Sequence, residues 1–354
     1  MKFADELSTE QMSATEEVSI VRLRRERDSA KKEVARLTQA MDEANRIIHA
    51  IEQVNTSQIE PPRWLSPAKP RASAATLVAM LSDTHFDEVV NPDEMEGLNA
   101  YNRTIAKLRL ERWAKNVVKM ARHYLAGMKY DGIVLILGGD IFSGDIHEEL
   151  KDTNEATMLE SCLYWSEQIA GAVGLLTEEF GRVQVVSVVG NHGRMSRKPR
   201  MKQRVVTNFD WLLAKMVERY FADDHRVSFV IPTSPDAWIR IYDHGHLITH
   251  GDQVHGGGGI GGIYPPIMRM RAKKANKYLQ TGQNFRTLWL GHWHSYLSTP
   301  HLIINGSLKG WDEFAAIMGF GFEPPQQALA IVTPERNITV QAPIFCQDRK
   351  REGW

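Results

Sequence analysis

The chain has 354 residues, and its 43 Lys and Arg residues are balanced by 43 Asp and Glu residues. Global charge therefore gives no sign of a nucleic-acid or membrane partner, and any electrostatic preference must be local. Two cysteines, Cys162 and Cys346, are too few and too far apart for a disulfide framework or a thiolate zinc site. Residues 1–30 are too charged for a signal peptide, and no apolar run approaches the roughly 20 residues of a membrane span. We expect a cytoplasmic protein with no membrane partner.

Residues 16–54 contain no Gly or Pro and are rich in charge and in helix formers. Apolar residues recur at alternating spacings of three and four, with Arg27 as the one exception in the series Ile20, Leu23, Arg27, Ala30, Val34, Leu37, Met41, Ala44, Ile48 and Ile51. This period predicts a coiled coil and hence a homo-oligomer, a dimer or a trimer. A single amphipathic helix packed on the following domain is the alternative.

The remaining chain divides by composition. We assign residues 1–54 to the N-terminal helix, 55–75 to a Pro-rich linker, 76–345 to the main domain and 346–354 to a C-terminal tail. Short apolar runs in the main domain predict strands at Thr76–Leu81, Ile133–Leu137, Val183–Val189, Trp238–Tyr242, Leu247–Thr249, Thr287–Leu290, Leu302–Ile304, Ala328–Val332 and Ile338–Val340. Helices are predicted at Tyr101–Ala126, Glu155–Phe180 and Phe209–Phe221, with a hairpin turn at Asp243-His244-Gly245. The order predicts a mixed, layered α/β sandwich.

Polar side chains follow five of these runs. They are Asp83 and His85, Asp140, Asn191 and His192, His250, and His292 and His294. Open α/β sheets place ligand sites beyond the carboxyl ends of their strands, so we expect these groups to converge. Mixed oxygen and nitrogen donors suit manganese, iron or zinc. The seven donors other than His192 exceed one tetrahedral ion, which favours two divalent metals that share a carboxylate.

The ordered motifs resemble those of the calcineurin-like metallophosphoesterases. The resemblance covers residues 76–308 and is carried by Asp83-x-His85, Gly139-Asp140, Gly190-Asn191-His192, His250 and Gly291-His292-x-His294, with Asn305-Gly306-Ser307 after them. It implies a double-layered mixed β-sandwich flanked by helices. It also implies that Asp83, His85 and His294 bind one metal and that Asn191, His250 and His292 bind the other. Asp140 would bridge both ions, and His192 would protonate the leaving group.

Two positions depart from the family pattern. Gly193 stands where an acidic residue often follows the Asn-His pair, so another group must orient His192, and Asp145 and Asp252 are both possible. Ser143 stands where phosphatase-like and cyclic-nucleotide branches often have Asp. The stretch "GGDIFSG" is more similar to the double-strand-break repair exonuclease branch.

Two basic runs lie near the predicted site in sequence, at residues 193–204 and 265–278, and neither contains an acid. A solvated basic face is the alternative to a phosphate-rich substrate. From the first run we predict Arg194, Lys198 and Arg200 as substrate-binding residues. We also predict His255 as an auxiliary site residue in the glycine-rich stretch 254–266.

Together these observations predict a two-metal phosphodiesterase, most simply a nuclease acting on DNA by in-line attack of a metal-bridging hydroxide. The expected cofactors are two divalent ions, Mn²⁺ first and Fe, Zn or Ni as alternatives. A phosphomonoesterase or protein phosphatase and a non-catalytic oligomeric scaffold remain the competing hypotheses.

Overall fold

The computed structural model describes residues 62–67, 73–255 and 262–354, together with residues 24–25, 27–32, 34–35 and 38 of a helix. The chain divides into two units, Met1–Gln58 and Ile59–Trp354. Of the predicted coiled-coil positions, only Arg27, Ala30 and Val34 are described, and all three are exposed on the helix. The rest of that pattern and most of the linker lie outside the described residues. The dimer or trimer therefore stays a prediction.

The first sheet has six strands in the order β11-β10-β1-β2-β3-β4. They are β1 Ala74–Leu81, β2 Lys129–Leu137, β3 Val183–Ser187, β4 Val227–Val230, β10 Gln326–Thr333 and β11 Asn337–Phe345. Strands β1 to β4 are parallel to one another. Strand β10 is antiparallel to both of its neighbours, β1 and β11. Every residue of β1 is buried, which accounts for its unbroken apolar run.

The second sheet has five strands in the order β5-β6-β7-β9-β8. They are β5 Asp236–Ile241, β6 His244–Thr249, β7 Thr287–Leu290, β8 Leu297–Thr299 and β9 Leu302–Ile304. The predicted hairpin joins β5 to β6, but Ile241 pairs with His244, so the turn is Tyr242-Asp243. Tyr242 adopts a φ of 53° there. The sequence placed the turn one residue late because Asp and Gly are the commoner turn residues.

The two sheets pack face to face. Val78 and Met80 of β1 lie in one apolar cluster with Ile248 of β6 and Trp289 of β7. The alternate residues of β1 point the other way, where Leu77 packs in a second cluster with helix residues such as Trp113. This alternation buries both faces of the first sheet. The predicted double-layered α/β sandwich flanked by helices is confirmed.

Within the described residues from 62 onwards, seven helices accompany the sheets: α1 Arg103–Lys119, α2 Glu148–Thr153, α3 Met158–Phe180, α4 Phe209–Tyr220, α5 Tyr264–Leu279, α6 Glu313–Ile317 and α7 Arg349–Glu352. A π-helical turn, Met120–Tyr124, extends α1. The predicted start of α3 was wrong by three residues because Thr157 forms a capping box with Glu160. The sequence missed α2, α5, α6, α7 and the short strands β4 and β8. None of the helices in the described part of the chain is both long and apolar enough to cross a bilayer.

The C-terminal segment 346–354 includes helix α7 and contacts α1. Cys346 is fully buried. Arg109 of α1 pairs with Glu352 at 2.9 Å, and their side chains are only 0% and 1% exposed. A charge pair this buried needs both partners, so the segment belongs to the main unit.

Candidate metal centre

All five predicted strand ends meet at one edge of the sandwich. Their carboxylates and imidazoles form three overlapping groups, and the ligand atoms within each group lie within 4.8 Å of one another. The groups are Asp83, His85 and His294; His85, Asp140 and His192; and Asp140, His250 and His292. His85 and Asp140 each belong to two groups. The structure thus brings the predicted residues together as one cluster.

The closest approaches within the cluster involve ring nitrogens. His85 Nε2 lies 3.1 Å from His294 Nε2, and His250 Nε2 lies 2.9 Å from Asp140 Oδ2. His294 Nε2 lies 3.6 Å from Asp83 Oδ1. These atoms are lone-pair donors to a cation, and neutral imidazole and carboxylate together suit a divalent transition metal.

Unsatisfied polar atoms test whether the residues fit a metal. Asn191 Oδ1 is buried and has no hydrogen-bond partner within the described part of the chain. Asp140 Oδ2 and His250 Nε2 face each other, yet neither forms a hydrogen bond of good geometry there. Buried polar atoms without partners are rare in folded proteins, and a bound cation satisfies them all. The donor set fits divalent metal ions.

The pKa directions of the cluster follow from its burial and from its two carboxylates. Burial lowers the pKa of His292 to about 4, so this ring is neutral and able to bind a metal near neutral pH. Burial raises the pKa of Asp83 to about 6, and nearby Asp140 contributes to that rise. Burial opposes charge on His250, but Asp140 outweighs it and raises the His250 pKa to about 10. The two carboxylates therefore attract positive charge into the cluster.

The backbone at the cluster is strained. Asp83, His85, Asp140, His292 and His294 have φ values of 51°, 44°, 49°, 72° and 52°. Residues with a Cβ seldom adopt this left-handed region, and such strain concentrates at functional sites. The surrounding hydrogen bonds maintain it: Asp83 N donates to Gly139 O at 3.0 Å, and His85 N donates to Asp140 O at 3.2 Å.

Two glycines let the strand ends approach each other. A Cβ at Gly190 would overlap the Asp140 carboxylate, and a Cβ at Gly291 would overlap the Asp83 carboxylate. The glycines that precede Asn191 and His292 are thus required by packing against the carboxylates.

Asp210, in the first turn of α4, is a site residue that sequence reasoning missed. Its carboxylate accepts hydrogen bonds from the backbone nitrogens of Asp140 at 3.0 Å, Ile141 at 3.2 Å and Gly190 at 2.8 Å. Asp210 therefore joins the ends of β2 and β3. An acidic residue in the first turn, two positions after the N-cap Asn208, is typical of any helix start, so the sequence carried no signal for this role.

A backbone carbonyl orients His192. His192 Nδ1 lies 2.7 Å from Ser143 O, and its backbone nitrogen donates to Asp140 Oδ1 at 2.7 Å. Neither predicted acid takes this place, since Asp145 is exposed and Asp252 pairs with Arg204. Burial lowers the pKa of His192 to about 4.

The predicted substrate-binding residues differ in their contacts. Arg194 donates to the backbone oxygens of Asn191, Ser196 and Arg197, so its guanidinium holds its own loop. Lys198 and Arg200 are exposed. Arg200 also lines a pocket beside Asn191.

The other predicted elements near the site are less informative. In the second basic run, Lys274 pairs with buried Asp236 at 2.5 Å. His255 is exposed, and the glycine-rich residues 256–261 that follow it lie outside the described part of the chain.

No protein-family model and no curated protein matches the sequence. Among solved structures, the chain is similar to a conserved uncharacterised protein from Streptococcus pneumoniae described as a predicted phosphoesterase, with 10% identity, a TM-score of 0.27, and coverage of 77% of this chain and 98% of that one. Vacuolar protein sorting 29 from Cryptosporidium parvum gives 11% identity and a TM-score of 0.29, with coverage of 77% and 98%. The sulfate thiohydrolase SoxB of Thermus thermophilus gives 12% and 0.28, with coverage of 76% and 56%. The centre is defined by its own geometry.

We predict that Gly190→Ala greatly weakens metal binding, because the added methyl group displaces the Asp140 carboxylate. Titration calorimetry with Mn²⁺ measures the affinity. Gly174→Ala is the matched control, since Gly174 lies within α3 with open space around it and the substitution should stabilise the helix by about 1 kcal/mol. Equal Mn²⁺ affinity in both variants would contradict the packing role of Gly190.

Proposed function

We propose that the chain is a metal-dependent phosphoesterase that hydrolyses phosphodiesters. The observation that carries the proposal is the buried Asp140 carboxylate, which belongs to two of the three ligand groups and also receives the backbone N–H of His192. A carboxylate shared in this way is what two neighbouring divalent ions need.

The residues fall into two ligand sets around Asp140. Asp83, His85 and His294 would hold one ion, while Asn191, His250 and His292 would hold the other. When bound, the two ions would neutralise phosphate oxygens and activate water for in-line attack.

His192 is suited to the leaving-group side of this reaction. Because Ser143 O holds its Nδ1 atom, its Nε2 atom is the one left to exchange a proton with substrate. The His192 ring is neutral when no phosphodiester is bound, since burial lowers its pKa to about 4. The negative charge of a bound phosphodiester stabilises the protonated ring, so substrate binding itself prepares the acid.

His192→Ala is expected to slow diesters with alkoxide leaving groups about 10²–10⁴-fold, the usual value of general acid catalysis. Hydrolysis of bis-p-nitrophenyl phosphate should fall far less, because p-nitrophenolate leaves without a proton. Exposed His301 provides the control variant His301→Ala, which should match the parent on both substrates. Equal losses on both substrates in His192→Ala would show that His192 is not the acid.

We further propose that the physiological substrate is a nucleic acid, with DNA as the first candidate. The support is the run 193–204, which begins directly after His192 and leaves Lys198 and Arg200 exposed. Exposed cations beside a phosphoesterase centre attract a polyanion. The pairing of Lys274 with Asp236 makes the second run a weaker contributor.

If about four basic side chains contact phosphates, the logarithm of the affinity for single-stranded DNA should fall with log salt at a slope near −3. The double variant Lys198→Glu, Arg200→Glu should flatten that slope and leave bis-p-nitrophenyl phosphate hydrolysis unchanged. Lys350→Glu, Arg351→Glu makes the same charge change on the exposed C-terminal helix and is the control. A slope near zero in the parent protein would remove the nucleic-acid proposal and leave a small phosphodiester as substrate.

A further inference from the structure

The acidic stretch at residues 87–96 begins with two buried residues. Asp87 is 1% exposed and Glu88 is 6% exposed. Asp87 accepts hydrogen bonds from Trp165 and Ser161 of α3, which explains it as a structural anchor. Glu88 points towards the metal centre and needs a different explanation.

The Glu88 carboxylate contacts two residues of the predicted site, His85 and Ser143. Its Oε2 atom lies 3.3 Å from His85 Nδ1 and accepts from Ser143 Oγ at 3.3 Å. The carbonyl oxygen of the same Ser143 contacts His192 Nδ1. A single carboxylate therefore borders a predicted metal ligand and the residue that orients the predicted acid.

Lys309 holds Glu88 in place from the other side. Lys309 is 2% exposed, its Nζ lies 2.6 Å from Glu88 Oε1, and it also pairs with Asp312. Burial opposes charge on both Glu88 and Lys309, yet Lys309 lowers the pKa of Glu88, and Asp312 and Glu88 together raise the pKa of Lys309. A buried ion pair with this geometry fixes a carboxylate more firmly than a solvated loop can.

We propose that Glu88, held by Lys309, is a positioning residue that aligns His85 for metal binding and, through Ser143, aligns His192. The proposal rests on the proposed function. A carboxylate beside the distal nitrogen of a metal-binding imidazole fixes the ring and leaves the other nitrogen for the metal. Here Glu88 faces Nδ1 of His85, and Nε2 faces the cluster, 3.1 Å from His294 Nε2. Ser143 stands where the phosphatase-like and cyclic-nucleotide branches of the family that the motifs resemble often have Asp. Its hydroxyl group contacts Glu88.

A buried ion pair can also serve stability alone, and Lys309 provides a matched comparison. Both of its carboxylate partners can be replaced by the corresponding amide, Glu88→Gln and Asp312→Asn. Each change removes one negative charge and leaves Lys309 paired with the other carboxylate, so neither strands a buried charge. Only Glu88 contacts His85 and Ser143. A role in stability predicts similar behaviour of the two variants, whereas positioning separates them.

The experiment measures Mn²⁺ affinity by titration calorimetry, thermal unfolding without metal, and the rate ratio between alkoxide and p-nitrophenyl diesters. We expect Glu88→Gln to lose about 10–100-fold in Mn²⁺ affinity, the usual cost of removing such a partner, and to lower the rate ratio. Asp312→Asn should stay within about threefold of the parent in affinity, since it touches no ligand. Equal Mn²⁺ affinity and an equal rate ratio in the two variants would overturn the proposal.

Thermal unfolding shows whether the Glu88→Gln variant is folded. If Glu88→Gln does not fold, the triple variant Glu88→Gln, Lys309→Met, Asp312→Asn removes all three charges and leaves none unpaired. The triple variant should show the same loss of affinity, and parent-like affinity there would also overturn the proposal. Mn²⁺ binding by the parent protein distinguishes failure of the proposed function from failure of the Glu88 proposal, because a parent that binds no Mn²⁺ refutes the proposed function itself.

Discussion

Two carboxylates, Asp83 and Asp140, are fully buried at the junction of the two sheets. Burying an unpaired carboxylate costs several kcal/mol, and two of them close together repel each other as well. Asp140 Oδ1 accepts the His192 amide, while Oδ2 faces His250. The remaining architecture of the centre follows from this electrostatic problem. Imidazoles surround the carboxylates, and divalent cations would complete the charge balance.

The pair of sheets is held together at this same edge by uncharged polar groups. Asn305, just after β9, donates to Ser82 Oγ at 2.8 Å and to Gln327 Oε1 of β10 at 2.7 Å. Ser307 Oγ donates to the carbonyl oxygen of Asp83 at 2.8 Å. These bonds join strands of different sheets, so the sandwich is rigid where the ligands emerge. A rigid edge lets the chain maintain left-handed backbone at five predicted ligands.

The residues that were predictable from sequence share one property. Asp83, Asp140 and Asn191 each lie within three residues of the end of an apolar run, so the local pattern of strand and polar ending located them. Glu88, Lys309 and Asp210 act through partners far away in the chain, and their own neighbourhoods look like a loop or a helix cap. The strands β4 and β8 are only partly buried, so they lack the unbroken apolar runs that located the equally short β7 and β9.

The same distinction explains the unassigned orienting group of His192. A sequence search looks for an acidic side chain, whereas the structure uses the carbonyl oxygen of Ser143, which every residue type possesses. The path of the backbone therefore places the oxygen that orients His192. Gly144 makes this path possible by adopting a φ of 77°. A side chain at Gly144 would overlap the His192 carbonyl.

The central claim is that the buried carboxylates form a metal centre organised around Asp140. The most direct measurement is the number and affinity of Mn²⁺ ions bound by the protein and by its Asp140→Asn variant, with folding verified by circular dichroism. The account predicts two bound ions in the parent protein and a loss of tight binding at both sites in the variant, because the shared charge has gone. A parent protein that binds no Mn²⁺, or a folded variant that still binds two ions tightly, would contradict it.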